Sequence, residues 1–164
     1  MRVGRKALFP FFITGLLLSS SLFANPFAKG GTSLGLVVGS GSAYNSSYTV
    51  LGINASYFVI DNLLTGIEYR GWFGASPTIN EVSVPVTYIA PIHKKFRPYL
   101  GSFYRRTFVS STSRVPSSEY DVYGVRAGIS VVTSSSSYAS LGWVEEFYEN
   151  SSNSYPEIVV GISF

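Results

Sequence analysis

The sequence predicts an all-β protein, an eight-stranded antiparallel up-and-down transmembrane β-barrel preceded by a cleaved signal peptide. Three observations lead to this prediction. Apolar and polar residues alternate along most of the chain, and no sustained helical stripe follows Ala24. Aromatic residues make up 16% of the chain. Charged residues make up only 13%, about half of the ~25% that is usual in soluble proteins.

The first 24 residues have the three-part pattern of a secretory signal peptide. Arg2, Arg5 and Lys6 form a positive start, residues 7–18 are mainly apolar, and small residues lead to a cleavage site after Ala24. The alternative is an uncleaved membrane helix, but the apolar part is shorter than the ~20 residues that a span needs. We therefore expect a signal peptide over 1–24 and a barrel domain over 25–164.

The composition excludes several classes of protein. The chain has 12 Lys and Arg against 9 Asp and Glu. Three of those cations lie in the leader, so the mature chain is near neutral and no basic patch for nucleic acid is expected. The chain has no cysteine, which excludes a disulfide scaffold and a cysteine-ligated metal. No phosphate loop or metal-ligand spacing is present, so we expect no cofactor.

Alternation defines the strands. At the end of the chain, Ile158, Val160, Ile162 and Phe164 share one face, and Glu157, Val159, Gly161 and Ser163 share the other. Eight such segments are predicted, at about 32–41, 47–59, 63–74, 81–90, 98–109, 120–132, 138–148 and 157–164. The fourth pattern is interrupted by Pro85, because proline lacks a ladder donor. The fifth pattern is interrupted by the pair Arg105-Arg106.

The connections alternate between compact turns and longer polar loops, which predicts an up-and-down meander with two unequal ends. The compact connections are 61–62, 91–97 and 134–137. The longer connections, rich in Ser, Asn, Gly and Pro, are 42–46, 75–80, 110–119 and 149–156. Long loops on a rigid scaffold are where recognition usually occurs.

The chemistry of the two strand faces favours a membrane barrel over a soluble one. One face is continuously apolar, whereas the other consists of Gly, Ser, Asn, Glu and Arg, which make a poor hydrophobic core. The apolar face is therefore expected to meet lipid, and a sheet in lipid has to close. The 140 residues after the leader (164 less 24) allow about 17 for each of eight strands with its connection, enough for the ~9–11 residues of each crossing.

Two sets of side chains follow from this orientation. Aromatic residues on the outward face are expected to form girdles at the headgroups. They are Tyr57, Tyr69, Phe73, Tyr88, Tyr123 and Trp143. Charged residues on the inward face are expected to form a paired network in the lumen. They are Glu68, Arg70, Arg126, Glu146 and Glu157. An ion pathway is the alternative, but the interior of eight strands is just filled by side chains.

Several runs of residues resemble the outer-membrane β-barrel family, which includes the OmpA- and OmpX-like small barrels. Residues 57–66 (YFVIDNLLTG) resemble its strand–turn–strand core, 97–101 (RPYLG) its fifth strand and 123–128 (YGVRAG) its sixth. Ile162 and Phe164 resemble its C-terminal assembly signal. The resemblance implies residence in the outer membrane of a Gram-negative-type bacterium. It also implies contact with outer-membrane lipid and with the assembly machinery, through the C-terminal strand.

The functional expectation is a monomeric, non-catalytic surface protein with a structural or adhesin-like role, carried by long extracellular loops that meet host or surface ligands. Two alternatives stay open within the membrane: a lipid-A-modifying enzyme and a narrow channel. An enzyme is disfavoured because His93 is the only histidine and lies in a basic turn with no serine in its local motif. A soluble secreted ligand-binding barrel is the remaining alternative.

Overall fold

The computed structural model describes residues 25–164, which form eight β-strands and their connections. The strands are β1 Thr32–Ala43, β2 Ser46–Ile60, β3 Leu63–Phe73, β4 Ile79–Ile89, β5 Phe96–Val109, β6 Ser118–Ser134, β7 Ser137–Phe147 and β8 Ser152–Ser163. The predicted signal peptide, 1–24, lies outside the described residues. Within 25–164, no helix is long and apolar enough to cross a membrane.

Each strand pairs antiparallel with the next, and β1 pairs with β8 to close the barrel. The closing seam runs from Ser33 opposite Ser163 to Gly39 opposite Glu157. The predicted eight-stranded up-and-down barrel is therefore confirmed. We call the end with connections 61–62, 90–95 and 135–136 the turn end. The opposite end, with connections 44–45, 74–78, 110–117 and 148–151, is the loop end.

Alternation places opposite chemistry on the two faces of every strand. The outer face carries large apolar side chains that are at least a third exposed, for example Leu36 at 60%, Leu100 at 64% and Leu141 at 62%. The neighbours between them point inward and are buried or partly buried. An unbroken apolar surface around a closed barrel fits lipid rather than water, and closure leaves no open sheet edge whose backbone groups would face lipid unpaired. We call this surface the lipid belt.

The fourth and fifth strands, which sequence left least certain, lie within two residues of their predicted limits. Pro85 is inside β4, where it stands opposite Phe103 of β5. On the β3 side, ladder pairing lapses between Thr65 opposite Val86 and Glu68 opposite Ser83. The Thr65 hydroxyl donates a hydrogen bond to the Pro85 carbonyl at 2.9 Å. A side chain therefore supplies a bond where the ladder is interrupted.

The connections at the loop end are shorter than predicted. The first connection is only Tyr44-Asn45, where both residues have positive φ, as a two-residue type I′ hairpin requires. β8 begins at Ser152, five residues before its predicted start. The polar Ser- and Asn-rich segments continue the ladders of their neighbours, because backbone pairing beyond the lipid belt does not require apolar side chains. The longest connection at the loop end is 110–117.

Candidate functional site

Seven charged side chains meet in the middle of the barrel interior. Three are arginines and four are glutamates, and each is at most 5% exposed. They are Glu68, Arg70, Glu81, Arg105, Arg126, Glu146 and Glu157. Five of them are the residues that the inward face predicted. Glu81 and Arg105 were missed. We call these seven residues the charge layer.

Arg70 joins β3 to β8 across the interior. Its Nε donates to Glu68 at 2.7 Å, its Nη2 to Glu157 at 2.7 Å and its Nη1 to the Tyr155 hydroxyl at 3.0 Å. Each guanidinium nitrogen thus has a partner, and two of the partners are carboxylates. Charge-assisted bonds of this length are the stronger class of protein hydrogen bond.

Arg105 contacts three carboxylates of the charge layer, one more than either of the predicted arginines, Arg70 and Arg126. It is paired with Glu146, lies 3.3 Å from a Glu81 oxygen and 3.8 Å from Glu68, and donates to the Ser83 hydroxyl at 2.8 Å. Alternation could have found it, because Arg105 is in phase with the inward Tyr99 and Phe103. The adjacent Arg106 then points outward. The arginine pair therefore continues the alternation of β5, which the sequence predicted to be interrupted there.

Arg126 completes the layer from β6. Two of its nitrogens donate to Glu68 at 3.2 and 3.3 Å, and a third contact reaches Glu157 at 3.6 Å. Its guanidinium carbon lies 5.0 Å from the centre of the Phe103 ring, and that of Arg105 lies 4.5 Å from the same ring. The Phe103 ring therefore contacts two cations through its electron-rich face.

Two tyrosines extend the network toward the loop end. The Tyr155 hydroxyl accepts bonds from Arg70 and Arg105, both at 3.0 Å, and donates to Glu146 at 2.7 Å. The Tyr148 hydroxyl donates to the other Glu146 oxygen at 2.7 Å. Burial, and then the Glu146 carboxylate, raise the pKa of Tyr148, so its phenol remains a proton donor. Glu146 is thereby held from three sides.

An aromatic plug fills the turn end of the interior. Its central residue is Phe27, which precedes β1 and is 0% exposed. The Phe27 ring lies 5.9 Å from that of Phe58 and 5.2 Å from that of Tyr138, and Arg97 lies over it at 5.0 Å. Leu64, Ile89 and Tyr99 pack in the same cluster. The inner face is therefore not uniformly polar, which sequence reasoning missed.

Backbone bonds fix the segment that carries Phe27. The Asn62 amide donates to the Phe27 carbonyl at 2.8 Å, and the Gly30 amide donates to Phe58 at 2.9 Å. Arg97 donates to the side-chain oxygens of Asn25 at 3.2 Å and Asn62 at 3.1 Å. Residues 25–31 thus close over the mouth of the barrel. No strand signal marks this segment, because it crosses the mouth instead of joining the sheet.

A second apolar cluster fills the loop end. It consists of Tyr48, Val50, Trp72, Ile79 and Val109. The rings of Tyr48 and Trp72 lie 5.5 Å apart, and the Tyr48 hydroxyl donates to the Pro77 carbonyl at 3.1 Å. Gly41 leaves room for this packing, because a Cβ atom there would lie 2.7 Å from the Trp72 ring.

Between the plug and the charge layer lies a cavity of about 50 Å³. Its lining includes Asn54, Tyr99, Arg126 and Glu157. This volume suits a few water molecules, at roughly 10–15 Å³ each on this scale. It is far below the ~300–1,000 Å³ of ordinary ligand pockets. Among residues 25–164, no group of three or more His, Asp or Glu side chains is arranged to hold a metal ion.

The outer surface at the loop end carries a second ion-pair cluster, which sequence reasoning did not single out. Arg106 contacts Glu119 at 2.8 Å and Asp121 at 3.3 Å. The Tyr104 hydroxyl donates to Asp121 at 2.8 Å. All three charged side chains are about half exposed. We call these four residues the rim cluster.

The six predicted girdle residues all point outward, with exposed fractions between 46% and 64%. Tyr57 and Tyr88 lie near the turn end, and Phe73 ends β3 at the loop end. Tyr69, Tyr123 and Trp143 lie four or five residues inside their strands, nearer the loop end. Their role as a headgroup girdle remains a prediction.

The two residues of the predicted assembly signal lie at the closing seam. Ile162 points outward at 46% exposure, and Phe164 follows the last residue of β8. The amide of Phe164 donates to the Thr32 carbonyl at 2.9 Å, and its carbonyl accepts from the Thr32 amide at 2.8 Å. The final residue therefore extends the pairing between β8 and β1.

The fold has close counterparts among solved structures. The β-barrel domain of Pseudomonas aeruginosa OprF has a TM-score of 0.70 and 13% identity, over 83% of this chain and 98% of that one. Neisserial surface protein A has a TM-score of 0.58 and 17% identity, over 81% and 94%. Ail of Yersinia pestis has a TM-score of 0.54 and 11% identity, over 83% and 99%. Ail is also known in complex with the heparin analogue sucrose octasulfate.

No protein-family model and no curated protein matches the sequence. At identities of 11–17% the structural likeness concerns the fold alone. Closed eight-stranded pairing, inward charge and a continuous apolar exterior agree with that likeness. The chain has the fold of the small eight-stranded outer-membrane barrels.

Proposed function

We propose that this protein is a non-catalytic barrel of a Gram-negative outer membrane, anchored by its lipid belt and active through its exposed loop end. The observation that carries the proposal is the filled interior. Apolar clusters fill both ends, seven charged side chains fill the middle, and the cavity between them is about 50 Å³. A solid interior leaves the outside of the barrel as the place for interaction.

Orientation follows from the connections at the two ends of the barrel. The longest connection, 110–117, lies at the loop end, whereas the turn end has two connections of only two residues, 61–62 and 135–136. Small outer-membrane barrels keep their short turns in the periplasm and their longer loops outside. The turn end therefore faces the periplasm. The loop end, with the rim cluster and the 110–117 loop, faces the cell exterior.

The proposal excludes lipid-A chemistry at His93, the only histidine of the chain. His93 lies in the exposed 90–95 turn, where its Nδ1 accepts the amides of Lys95 and Phe96, both at 3.2 Å. A catalytic base has to reach the proton that it abstracts, and this nitrogen is already engaged by backbone. Lipid A mass spectra of expressing and deletion cells should be identical. A mass shift that depends on expression would contradict the proposal.

The chemistry of the loop end indicates the kind of surface partner. Its charged side chains outside the barrel are two cations, Arg106 and Arg114, and four carboxylates, those of Glu119, Asp121, Glu149 and the partly buried Glu145. This net negative rim disfavours polysulfated ligands of the kind seen with Ail. Tyr, Ser and Asn fill the rest of the loops, and these residues suit adaptable polar contact. A neutral or cationic surface ligand fits best.

Whole-cell adhesion tests this role. Cells that display the protein should bind immobilised host-matrix preparations more than deletion cells do, and soluble heparin should not compete. Replacing residues 111–116 with a short Gly-Ser turn should reduce that binding without changing membrane yield. Equal adhesion of displaying and deletion cells would remove the adhesin-like role and leave only a structural one. Competition by heparin would contradict the charge argument.

We propose that Phe164 contributes to recognition of the barrel by the outer-membrane assembly machinery. We expect deletion of Phe164 to reduce the amount of folded protein in outer membranes, because it removes backbone pairing with Thr32 and the terminal aromatic ring. Phe164→Tyr keeps both features and serves as the matched control. Folded barrel is measured by the gel shift between unheated and boiled samples. Full assembly after the deletion would contradict a role for this residue.

A further inference from the structure

Exposed charge is unevenly divided between the two ends of the barrel. The turn end carries three exposed cations, Lys29, Lys94 and Lys95, and the partly buried Arg97, against one acidic side chain, that of Asp61. The Asp61 carboxylate already accepts the backbone amide of Lys29 at 2.7 Å. The loop end has the opposite sign. The mature chain is therefore near neutral as a whole but has a positive turn end.

The 90–95 turn and the first residue of β5 combine this charge with exposed apolar side chains. Ile92 is 75% exposed and Phe96 is 52% exposed, on either side of Lys94 and Lys95. Phe96 lies on the outward face of β5, the same face as Leu100, which is four residues further along the strand. Its register partner on β6 is Val131. The turn thus continues the lipid belt and adds two ammonium groups at its edge.

His93 gives this turn a fixed shape. Its Nδ1 accepts the amides of Lys95 and Phe96, and its ring stacks on that of Phe96 with the centres 5.8 Å apart. The Lys95 carbonyl accepts the Val132 amide at 2.8 Å. The amide and the carbonyl of Lys95 both have partners within the chain, so the turn keeps its shape without a bond from either lysine side chain.

We propose that Ile92, His93, Lys94, Lys95 and Phe96 form a docking site for anionic phospholipid. Ile92 and Phe96 contact the acyl region, and the two ammonium groups contact the lipid phosphate. Apolar side chains beside clustered lysines suit an anionic membrane surface, because acyl contact and charge attraction act together. In the orientation given under the proposed function, on which this site rests, the leaflet concerned is the periplasmic one.

A lipid titration of the purified, folded barrel tests the site. Native mass spectrometry measures how many molecules of phosphatidylglycerol, or of phosphatidylcholine with the same acyl chains, remain bound. The wild type should bind phosphatidylglycerol more tightly. Lys94→Gln/Lys95→Gln should lose that preference by roughly ten-fold or more, since each lysine near an anionic surface contributes about five-fold.

Two further variants separate charge from acyl contact. Arg106→Gln/Arg114→Gln removes two cations from the loop end and should leave the preference unchanged. Ile92→Ser/Phe96→Ser should weaken retention of both lipids, because the lost contact is independent of headgroup. The gel shift between unheated and boiled samples verifies that each variant is folded.

Three results would overturn the site. The first is an unchanged preference in Lys94→Gln/Lys95→Gln, and the second is an equal loss in the loop-end control. The third is lysine-dependent binding to isolated peptidoglycan without any phospholipid preference, which would assign the turn to the cell wall. The titration uses purified protein, whereas the proposed surface role is tested on cells. The lipid site can therefore be disproved while the surface role stands, and the surface role can be disproved while the lipid site stands.

Discussion

Arg105 and Arg106 are neighbours in β5 with opposite surroundings. Arg105 is fully buried among Glu68, Glu81 and Glu146. Arg106 is 47% exposed and contacts two half-exposed carboxylates. The partners are chemically alike, so the difference lies in the solvent. Water replaces the partners of Arg106 at little cost, whereas the partners of Arg105 have no access to it.

This contrast explains how a chain with so little charge builds a stable polar interior. The barrel concentrates seven of its charged residues in one layer and covers that layer with apolar clusters at both ends. Each buried guanidinium contacts two or three carboxylates, so none of the three cations depends on a single contact. The charged side chains inside the barrel fill its interior and pair with one another. The charge outside is available for interaction.

The largest effect is expected for Arg105→Ala. The change leaves three carboxylates of the charge layer without their shared cation, and an uncompensated buried charge costs about 3–5 kcal/mol. Urea unfolding in lipid vesicles, followed by tryptophan fluorescence, measures the loss. A free energy of unfolding within about 0.5 kcal/mol of wild type would show that the charge layer does not hold the barrel together.

The second-largest loss of stability is expected in the aromatic plug. Phe27→Ala removes a fully buried ring, and such truncations cost about 3–5 kcal/mol when the cavity cannot collapse. We expect the lower part of that range, because residues 25–31 are at a barrel mouth and can shift. Phe73→Ala, which truncates an outward ring of the lipid belt, is the matched control. Equal losses in the two variants would mean that Phe27 contributes no more than an ordinary lipid-facing residue.

The smallest effect is expected for Arg106→Ala. Its partners remain hydrated when the arginine is removed, so the urea midpoint should match that of the wild type in the same unfolding series. High salt should change the urea midpoint of neither protein by much, because exposed ion pairs contribute little to stability even before they are screened. A loss comparable to that of Arg105→Ala would remove the distinction between inner and outer arginines.

The fold was predictable because alternation and closure leave few choices. A continuous apolar face has to meet lipid, and strands in lipid have to close. The same alternation predicted five of the seven residues of the charge layer. It would have added Arg105 and Glu81 if the pattern had been followed through Arg105-Arg106 and Pro85 instead of being treated as broken there.

Other features could not be read from the sequence. Phe27 lies outside every strand, so no periodicity indicates that its ring turns into the barrel mouth. The loop lengths were overestimated because serine- and asparagine-rich segments, such as the one before Glu157, have the composition of loops. These segments pair because the neighbouring strand lies beside them, as β7 lies beside residues 152–156. Both features depend on contacts distant in sequence.

The central claim is that the interior is closed, and single-channel recording in planar lipid bilayers tests it most directly. Wild-type barrel should give no steady conductance steps in 1 M KCl, because the charge layer and both apolar clusters occupy the lumen. Deletion of residues 25–31 should also fail to open a path, since the charge layer remains. Reproducible, voltage-stable steps from folded wild-type protein would contradict the account and establish the protein as a channel.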